Sequence, residues 1–136
     1  MSDGKTIHIA CDTDIVEARQ YGRSLAGRMG FSSAEQALIA TAISELARNI
    51  VEYAGHGEIV VDTIQYGVKQ GIMVMARDQG PGIPDIKLAM QDGFSTSKGL
   101  GLGLPGTRRL MDRFDIVSAK GKGTVVTTIK WSKKPR

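Results

Sequence analysis

The stretch TAISELARNI, residues 41–50, carries two patterns that together decide the fold. Its apolar residues belong to a longer series with spacings of four and three, which predicts one buried stripe along a helix. The stripe consists of Ile39, Ile43, Leu46, Ile50 and Tyr53. Ser32 and Glu35 form a capping box ahead of it, and two glycines at 55 and 57 end the helix.

The second pattern in this stretch is polar. Glu45 and Asn49 are four residues apart, so they share a helix face about 100° round from the Leu46/Ile50 stripe. An amide oxygen is a hard ligand that suits Mg²⁺, and a carboxylate can accept a proton from an attacking hydroxyl. Polar residues on a solvated helix face are also common, so this pair alone does not establish a site.

The flanking sequence predicts strands on both sides of this helix. Asp12 and Thr13 are candidate caps for an earlier helix that Gly30 ends. The predicted strands are 5–10, 58–66, 72–78, 114–119 and 124–131, and the other predicted helices are 14–29, a short one near 85–91, and 104–113. We expect an α/β (α+β) two-layer sandwich, with helices on one face of a mixed, mostly antiparallel sheet.

A second motif, Asp78-Gln79-Gly80-Pro81-Gly82, follows the predicted strand 72–78. A carboxylate at a strand end can accept a hydrogen bond from an amino group such as that of adenine. Glycines there permit close backbone approach and unusual dihedral angles. The simpler interpretation of the same residues is a turn between two elements.

A third motif is the glycine-rich run Gly99-Leu100-Gly101-Leu102-Gly103-Leu104, directly before a predicted helix. Backbone N–H groups of such a loop and of a helix N-terminus can bind phosphates. The run is neither a Rossmann fingerprint nor a Walker A loop, because no buried strand leads into it and no Gly-Lys-Ser/Thr ends it. A flexible loop is the alternative.

Length and composition set the remaining limits. The 136 residues suit one domain, 1–136. The formal charge of +4 comes partly from a basic tail that we expect to be solvated, namely Lys130, Lys133, Lys134 and Arg136. Aromatic residues are not interleaved with the basic ones, so no nucleic-acid partner is expected. No apolar run suggests a signal peptide or a membrane span. The single Cys11 is expected to be a buried small residue, and the predicted location is cytoplasmic.

The order and spacing of the three motifs resemble the N, G1 and G2 boxes of the GHKL superfamily of gyrase, Hsp90, histidine kinase and MutL ATPases. Gly123-Thr124 resembles that superfamily's late threonine. The stretches 41–50, 78–85 and 92–97 are most similar to anti-sigma-factor serine kinases, and within them to the RsbT-type switch kinases. The resemblance implies a Bergerat-type ATP-binding fold. The segment between the second and third motifs is short beside the lids of histidine kinases.

The resemblance also implies roles for particular residues. Asn49 would bind Mg²⁺ on the ATP phosphates, and Glu45 would be the catalytic base or orienting carboxylate. Asp78 would bind the adenine amino group with the help of Thr124. The remaining nucleotide-contacting positions would be Gly80, Gly82, Lys98, Gly99, Gly101, Leu102, Gly103 and Leu104.

By the same resemblance, the chain would phosphorylate Ser or Thr on STAS-domain scaffold proteins and then bind and activate a downstream output protein. Arg19 lies where relatives contact their partners. Two alternatives remain open: a non-catalytic ATP-binding module that sequesters a sigma factor or effector, and an orphan histidine-kinase ATPase domain. Neither His8 nor His56 lies on a predicted helix that would suit phosphoryl acceptance.

Overall fold

Five strands and three helices make up the part of the chain that the computed structural model describes, residues 4–82, 103–119 and 121–133. In chain order they are β1 (Lys5–Ile9), α1 (Asp12–Arg28), α2 (Ser33–Tyr53), β2 (Gly57–Tyr66), β3 (Lys69–Asp78), α3 (Gly103–Leu110), β4 (Arg113–Ser118) and β5 (Thr124–Trp131). The short helix predicted near 85–91 lies outside the described residues. The other predicted elements are confirmed to within a few residues at each end.

The strands form one sheet in the order β1-β2-β3-β5-β4. All four described strand pairs are antiparallel, so the expected mostly antiparallel sheet is confirmed and no parallel pair occurs among these strands. Side chains alternate between the two faces of a strand. One face is therefore apolar along the register row Ile7, Ile59, Ala76 and Val126, and the helices cover that face.

Helix α2 lies at the centre of the helical layer, where it contacts α1, α3 and the sheet. Four of the five predicted stripe residues are fully buried, namely Ile39, Ile43, Leu46 and Ile50. The prediction is wrong for Tyr53, which is 49% exposed. Tyr53 is the last residue of α2, so no following helical turn covers its ring, and Gly55 (φ 85°) then turns the chain away.

The two long helices begin differently. The predicted capping box of α2 is present, with Glu35 N donating to Ser32 Oγ (3.1 Å) and Ser32 N donating to Glu35 Oε1 (3.1 Å). The predicted caps of α1 are wrong, because the helix already begins at Asp12 and its N-cap residue is Cys11, without a side-chain cap. Cys11 is also exposed rather than buried. The Asp14 carboxylate accepts from Ala10 N (2.9 Å), which lowers the pKa of Asp14.

One connection and one side chain differ from the sequence-based expectation. The β2–β3 hairpin turns through only Gly67 and Val68, because the following residues Lys69 and Gln70 already pair in β3. In the basic tail, Lys130 is not a purely solvated charge. Its Nζ donates to the carbonyl of Leu110 (3.0 Å), the last residue of α3, which fastens that helix end to β5.

No helix in the described ranges is long and apolar enough to cross a membrane.

The capping box predicts how stability depends on pH. Hydrogen bonding from the Ser32 backbone, aided by the Ser32 hydroxyl and by the charges of Lys133 and Lys130, lowers the pKa of Glu35 below its ordinary 4.5. A lowered folded-state pKa stabilises the protein above pH 4.5, and this stabilisation is lost as the pH falls through the folded-state pKa. In Glu35→Gln, we therefore expect a smaller loss of unfolding free energy between about pH 5 and pH 3, measured by urea denaturation.

The control is Glu52→Gln, which changes an exposed glutamate near the other end of α2 and leaves the box intact. An acid-dependent loss of stability in Glu35→Gln equal to that of the wild type would contradict the assignment.

Candidate functional site

Helix α2 carries the polar pair Glu45 and Asn49 on one face, as the sequence predicts, but the two side chains differ in solvent exposure. Glu45 is only 2% exposed, whereas Asn49, one turn later, is half-buried. The buried stripe holds α2 against the sheet, so the orientation of both side chains is set by the packing of the helix. Glu45 is therefore not a solvated surface residue.

The buried Glu45 side chain is not fully satisfied by the protein. Its Oε2 atom has no hydrogen-bond partner within the described residues. A buried carboxylate oxygen without a partner costs free energy, on the order of 1–3 kcal/mol or more for a charged group. Such an atom can accept a hydrogen bond from a ligand or a water molecule.

The carboxylate of Asp78 lies at the end of β3, as predicted. Its Oδ1 accepts a hydrogen bond from the backbone N–H of Gly80 (2.9 Å), which closes a tight turn after the strand. Asp78 is half-buried. One carboxylate oxygen thus organises the turn, and the other can accept a hydrogen bond from a ligand.

The turn after Asp78 packs against the end of α2. A Cβ atom on Gly80 would lie 2.6 Å from Ala54 Cβ and 2.9 Å from Ala54 Cα, where no side chain fits. Ala54 is the C-cap residue of α2. Position 80 therefore requires glycine because of the contact with Ala54. The same contact sets the distance between the Asp78 turn and the helix that carries Glu45 and Asn49.

Three polar residues form a row across the sheet at this end. Asp78 is the register partner of Thr124, and Thr124 is the partner of Ser118. Residues two positions apart on a strand share a face of the sheet. Asp78, Thr124 and Ser118 are each two positions from a residue in or against the core, which is Ala76, Val126 and Ile116 respectively. The row therefore lies on the helix-covered face. Sequence reasoning missed Ser118, because only the hairpin register places it beside Thr124.

Hydroxyl groups connect two members of this row. Ser118 Oγ lies 2.7 Å from Thr124 Oγ1 and donates to the carbonyl oxygen of Gly123 (3.1 Å). Gly123 has φ 78°, and a Cβ there would clash with the carbonyl of Asp78. The β4–β5 turn also donates from Gly121 N to the carbonyl of Pro81 (2.6 Å). The turn therefore supports the backbone on both sides of Gly80.

The site thus joins three segments far apart in sequence: the second half of α2, the turn after β3, and the start of β5. Residues 34–134 match the family described as histidine kinase-, DNA gyrase B-, and HSP90-like ATPase. The chain belongs to this family. The resemblance to the GHKL ATPases that the three motifs indicated is confirmed.

Sequence comparison with curated relatives indicates which members of the GHKL family this chain resembles. The chain is 53% identical over 131 residues to the serine/threonine-protein kinase RsbT of Bacillus subtilis, covering 96% of this chain and 98% of that protein. It is 31% identical over 118 residues to the anti-sigma F factor of Caldanaerobacter subterraneus, covering 84% and 82% respectively. The predicted resemblance to RsbT-type switch kinases is therefore confirmed.

Solved structures share the GHKL fold at lower identity. The RsbU and RsbW domains of a Mycobacterium tuberculosis protein match 97% of this chain and 34% of theirs, with a TM-score of 0.60 and 23% identity. The mycobacterial sensor histidine kinase MprB matches all of both chains, with a TM-score of 0.56 and 16% identity. These likenesses concern the fold alone.

Several predicted nucleotide-contacting residues lie outside the described part of the chain, namely Lys98, Gly99, Gly101 and Leu102. The run that contains them ends at α3, which begins at Gly103. Leu104 is 8% exposed and belongs to the hydrophobic core. Gly82, the last glycine of the second motif, has φ 78°. On α1, Arg19 is half-buried.

A depression of about 540 Å³ lies at the end of the sheet where β2 begins and β3 ends. Its lining includes His8, His56, Arg77 and Lys122, and the two imidazole centroids are 5.9 Å apart. His8 is on β1 and His56 precedes β2, so both histidines lie outside helices, as predicted. Asp78 also contributes to this lining, so the depression adjoins the polar row.

The position of Asp78 predicts the effect of its substitution. In Asp78→Asn, an oxygen acceptor is partly replaced by an amide donor, so ATP affinity should fall by at least about tenfold, the value of a hydrogen bond to a charged group. The measurement is the dissociation constant for ATP by isothermal titration calorimetry.

The matched control for Asp78→Asn is Asp115→Asn, because Asp115 is exposed on β4, where its carboxylate lies 4.0 Å from Arg113. Equal ATP affinity in the wild type and Asp78→Asn would exclude Asp78 from nucleotide binding.

Proposed function

We propose that this chain is an ATP-dependent protein serine/threonine kinase that acts as a partner switch. The observation that carries the proposal is the 53% identity to the serine/threonine-protein kinase RsbT over nearly the full length of both chains. The buried and unpartnered Glu45 oxygen beside Asn49 supports a catalytic rather than a purely structural site.

In the proposed complex, the adenine base lies at the polar row and the phosphates lie along α2. The Asp78 carboxylate accepts from the exocyclic amino group, and Thr124 assists. Ala76 and Val126, one row further into the sheet, are apolar and suit the face of the base. The phosphates then point toward the glycine-rich run that ends at α3, where Lys98, Gly99, Gly101, Leu102, Gly103 and Leu104 are the proposed contacts.

Asn49 is the proposed protein ligand of Mg²⁺. Its amide oxygen is a hard ligand, and Mg²⁺ in nucleotide sites is bound by one or two protein groups together with the phosphates. When bound, the cation neutralises charge on the transferred phosphoryl group. Asn49 lies on the same face of α2 as Glu45, so the metal ligand and the proposed base are fixed relative to each other by one rigid helix.

Glu45 is the proposed base. Its unpartnered Oε2 provides an acceptor for the proton of a substrate hydroxyl, or orients that hydroxyl toward the γ-phosphate. Phosphoryl transfer depends mainly on positioning and charge stabilisation. A carboxylate held by packing therefore suits this role better than a mobile surface side chain.

The proposed substrates are STAS-domain proteins, phosphorylated on Ser or Thr, and the proposed second partner is an output protein activated by the released kinase. Arg19 on α1 is the proposed partner contact. The likeness to RsbT supports this switch, and the likeness to an anti-sigma F factor supports binding to regulatory proteins more generally.

The same anti-sigma likeness favours one alternative, a module that binds ATP and sequesters a sigma factor without transferring phosphate. Incubation with a STAS-domain protein, Mg²⁺ and γ-labelled ATP separates the two. The kinase predicts acid-stable label on Ser or Thr of the substrate. Absence of transfer would favour sequestration, and acid-labile label would indicate a phosphohistidine.

Substitution of Glu45 tests the catalytic assignment. Glu45→Gln keeps the size of the side chain but removes its basicity, so the transfer rate should fall by roughly 10²–10⁴-fold while ATP affinity is retained. The measurements are single-turnover transfer to the STAS-domain protein and calorimetric ATP binding.

The matched control is Glu52→Gln, seven residues later on the same helix but exposed, which should leave both values unchanged. A Glu45→Gln protein with wild-type turnover would remove Glu45 from the mechanism.

A further inference from the structure

The hydroxyl of Ser118 lies where two hydrogen bonds meet beside the proposed base-binding residues. Its Oγ is 3.1 Å from the carbonyl oxygen of Gly123 and 2.7 Å from Thr124 Oγ1. Ser118 is half-buried and is the register partner of Thr124. Thr124 is in turn the register partner of Asp78. The three side chains therefore form one continuous polar group on the helix-covered face.

One arrangement of the two hydroxyl protons satisfies both of these hydrogen bonds. In this arrangement Ser118 donates its single hydroxyl proton to the carbonyl oxygen of Gly123, which can only accept. The shorter bond to Thr124 then needs a proton from Thr124 Oγ1. The hydroxyl of Thr124 consequently points toward Ser118, and its lone pairs remain to face a ligand.

We propose that Ser118 is a positioning residue that sets nucleobase selectivity by holding the Thr124 hydroxyl as an acceptor beside the Asp78 carboxylate. This inference rests on the proposed ATP site. Two neighbouring acceptors match the exocyclic amino group of adenine, which donates directly or through a water molecule. A purine with a carbonyl at position 6 instead brings a third acceptor toward them, and the donor it gains, the N1 proton, lies at the neighbouring ring position rather than at position 6.

Inosine triphosphate is the appropriate probe, because its base differs from adenine by a carbonyl in place of the 6-amino group and by the proton on N1. In the wild type, Thr124 cannot turn its proton to this carbonyl without breaking its bond to Ser118. In Ser118→Ala, the Thr124 hydroxyl is released and can donate to the carbonyl. The variant should therefore discriminate less between the two nucleotides.

The experiment measures calorimetric dissociation constants for ATP and inosine triphosphate with the full chain. We expect the ratio of the inosine triphosphate constant to the ATP constant to fall about tenfold in Ser118→Ala, the effect of one hydrogen bond. Ser118→Cys, which fills similar space with a weakly hydrogen-bonding group, should lower the ratio as well. Ser118→Thr keeps the hydroxyl and should stay within about twofold of the wild-type ratio.

Each outcome has a separate meaning. If Ser118→Ala weakens both nucleotides equally, or changes neither, the proposal is overturned and Ser118 only supports the hairpin. If Ser118→Thr loses selectivity as strongly as Ser118→Ala, the hydroxyl is not the cause. Failure of the wild type to bind ATP would instead overturn the nucleotide site itself, and this inference with it.

Discussion

The close approach of backbone to the carboxyl end of α2 is the constraint on which the site depends. A Cβ at Gly57 would lie 2.9 Å from Ile50 Cγ2, and one at Gly80 would lie 2.6 Å from Ala54 Cβ. Both positions therefore exclude side chains. Because the start of β2 and the turn after β3 lie directly against the helix, Asp78 is held at a set distance from Glu45 and Asn49.

Burial of Glu45 makes sense only together with this arrangement. A carboxylate that is 2% exposed and has an unpartnered oxygen does not stabilise the fold. Its cost is offset by the apolar stripe of the same helix, which buries four large side chains completely. A buried carboxylate with an unpartnered oxygen lowers stability, which is the pattern common at functional sites and supports the proposed role of Glu45.

Sequence reasoning succeeded where local physics decides and failed where long-range contacts intervene. The Ser32–Glu35 capping box was predictable because its partners are three residues apart. The α1 cap was predicted wrongly because Asp14 reaches back to Ala10 instead, and the Asp12 and Thr13 side chains lie within the helix. Lys130 was expected to be solvated, but its contact with Leu110 spans twenty residues and depends on how α3 meets β5.

The sequence by itself determined the positions of the described helices and strands, the shared helix face of Glu45 and Asn49, and the position of Asp78 at the end of a strand. Each follows from spacing along one helix or strand, which has a known period. Only the tertiary structure decided that Glu45 is buried, that Gly80 meets Ala54, and that Ser118 contacts Thr124, the register partner of Asp78. These facts depend on strand register and helix–sheet distance, which arise from packing between segments remote in sequence and leave no local periodicity to read.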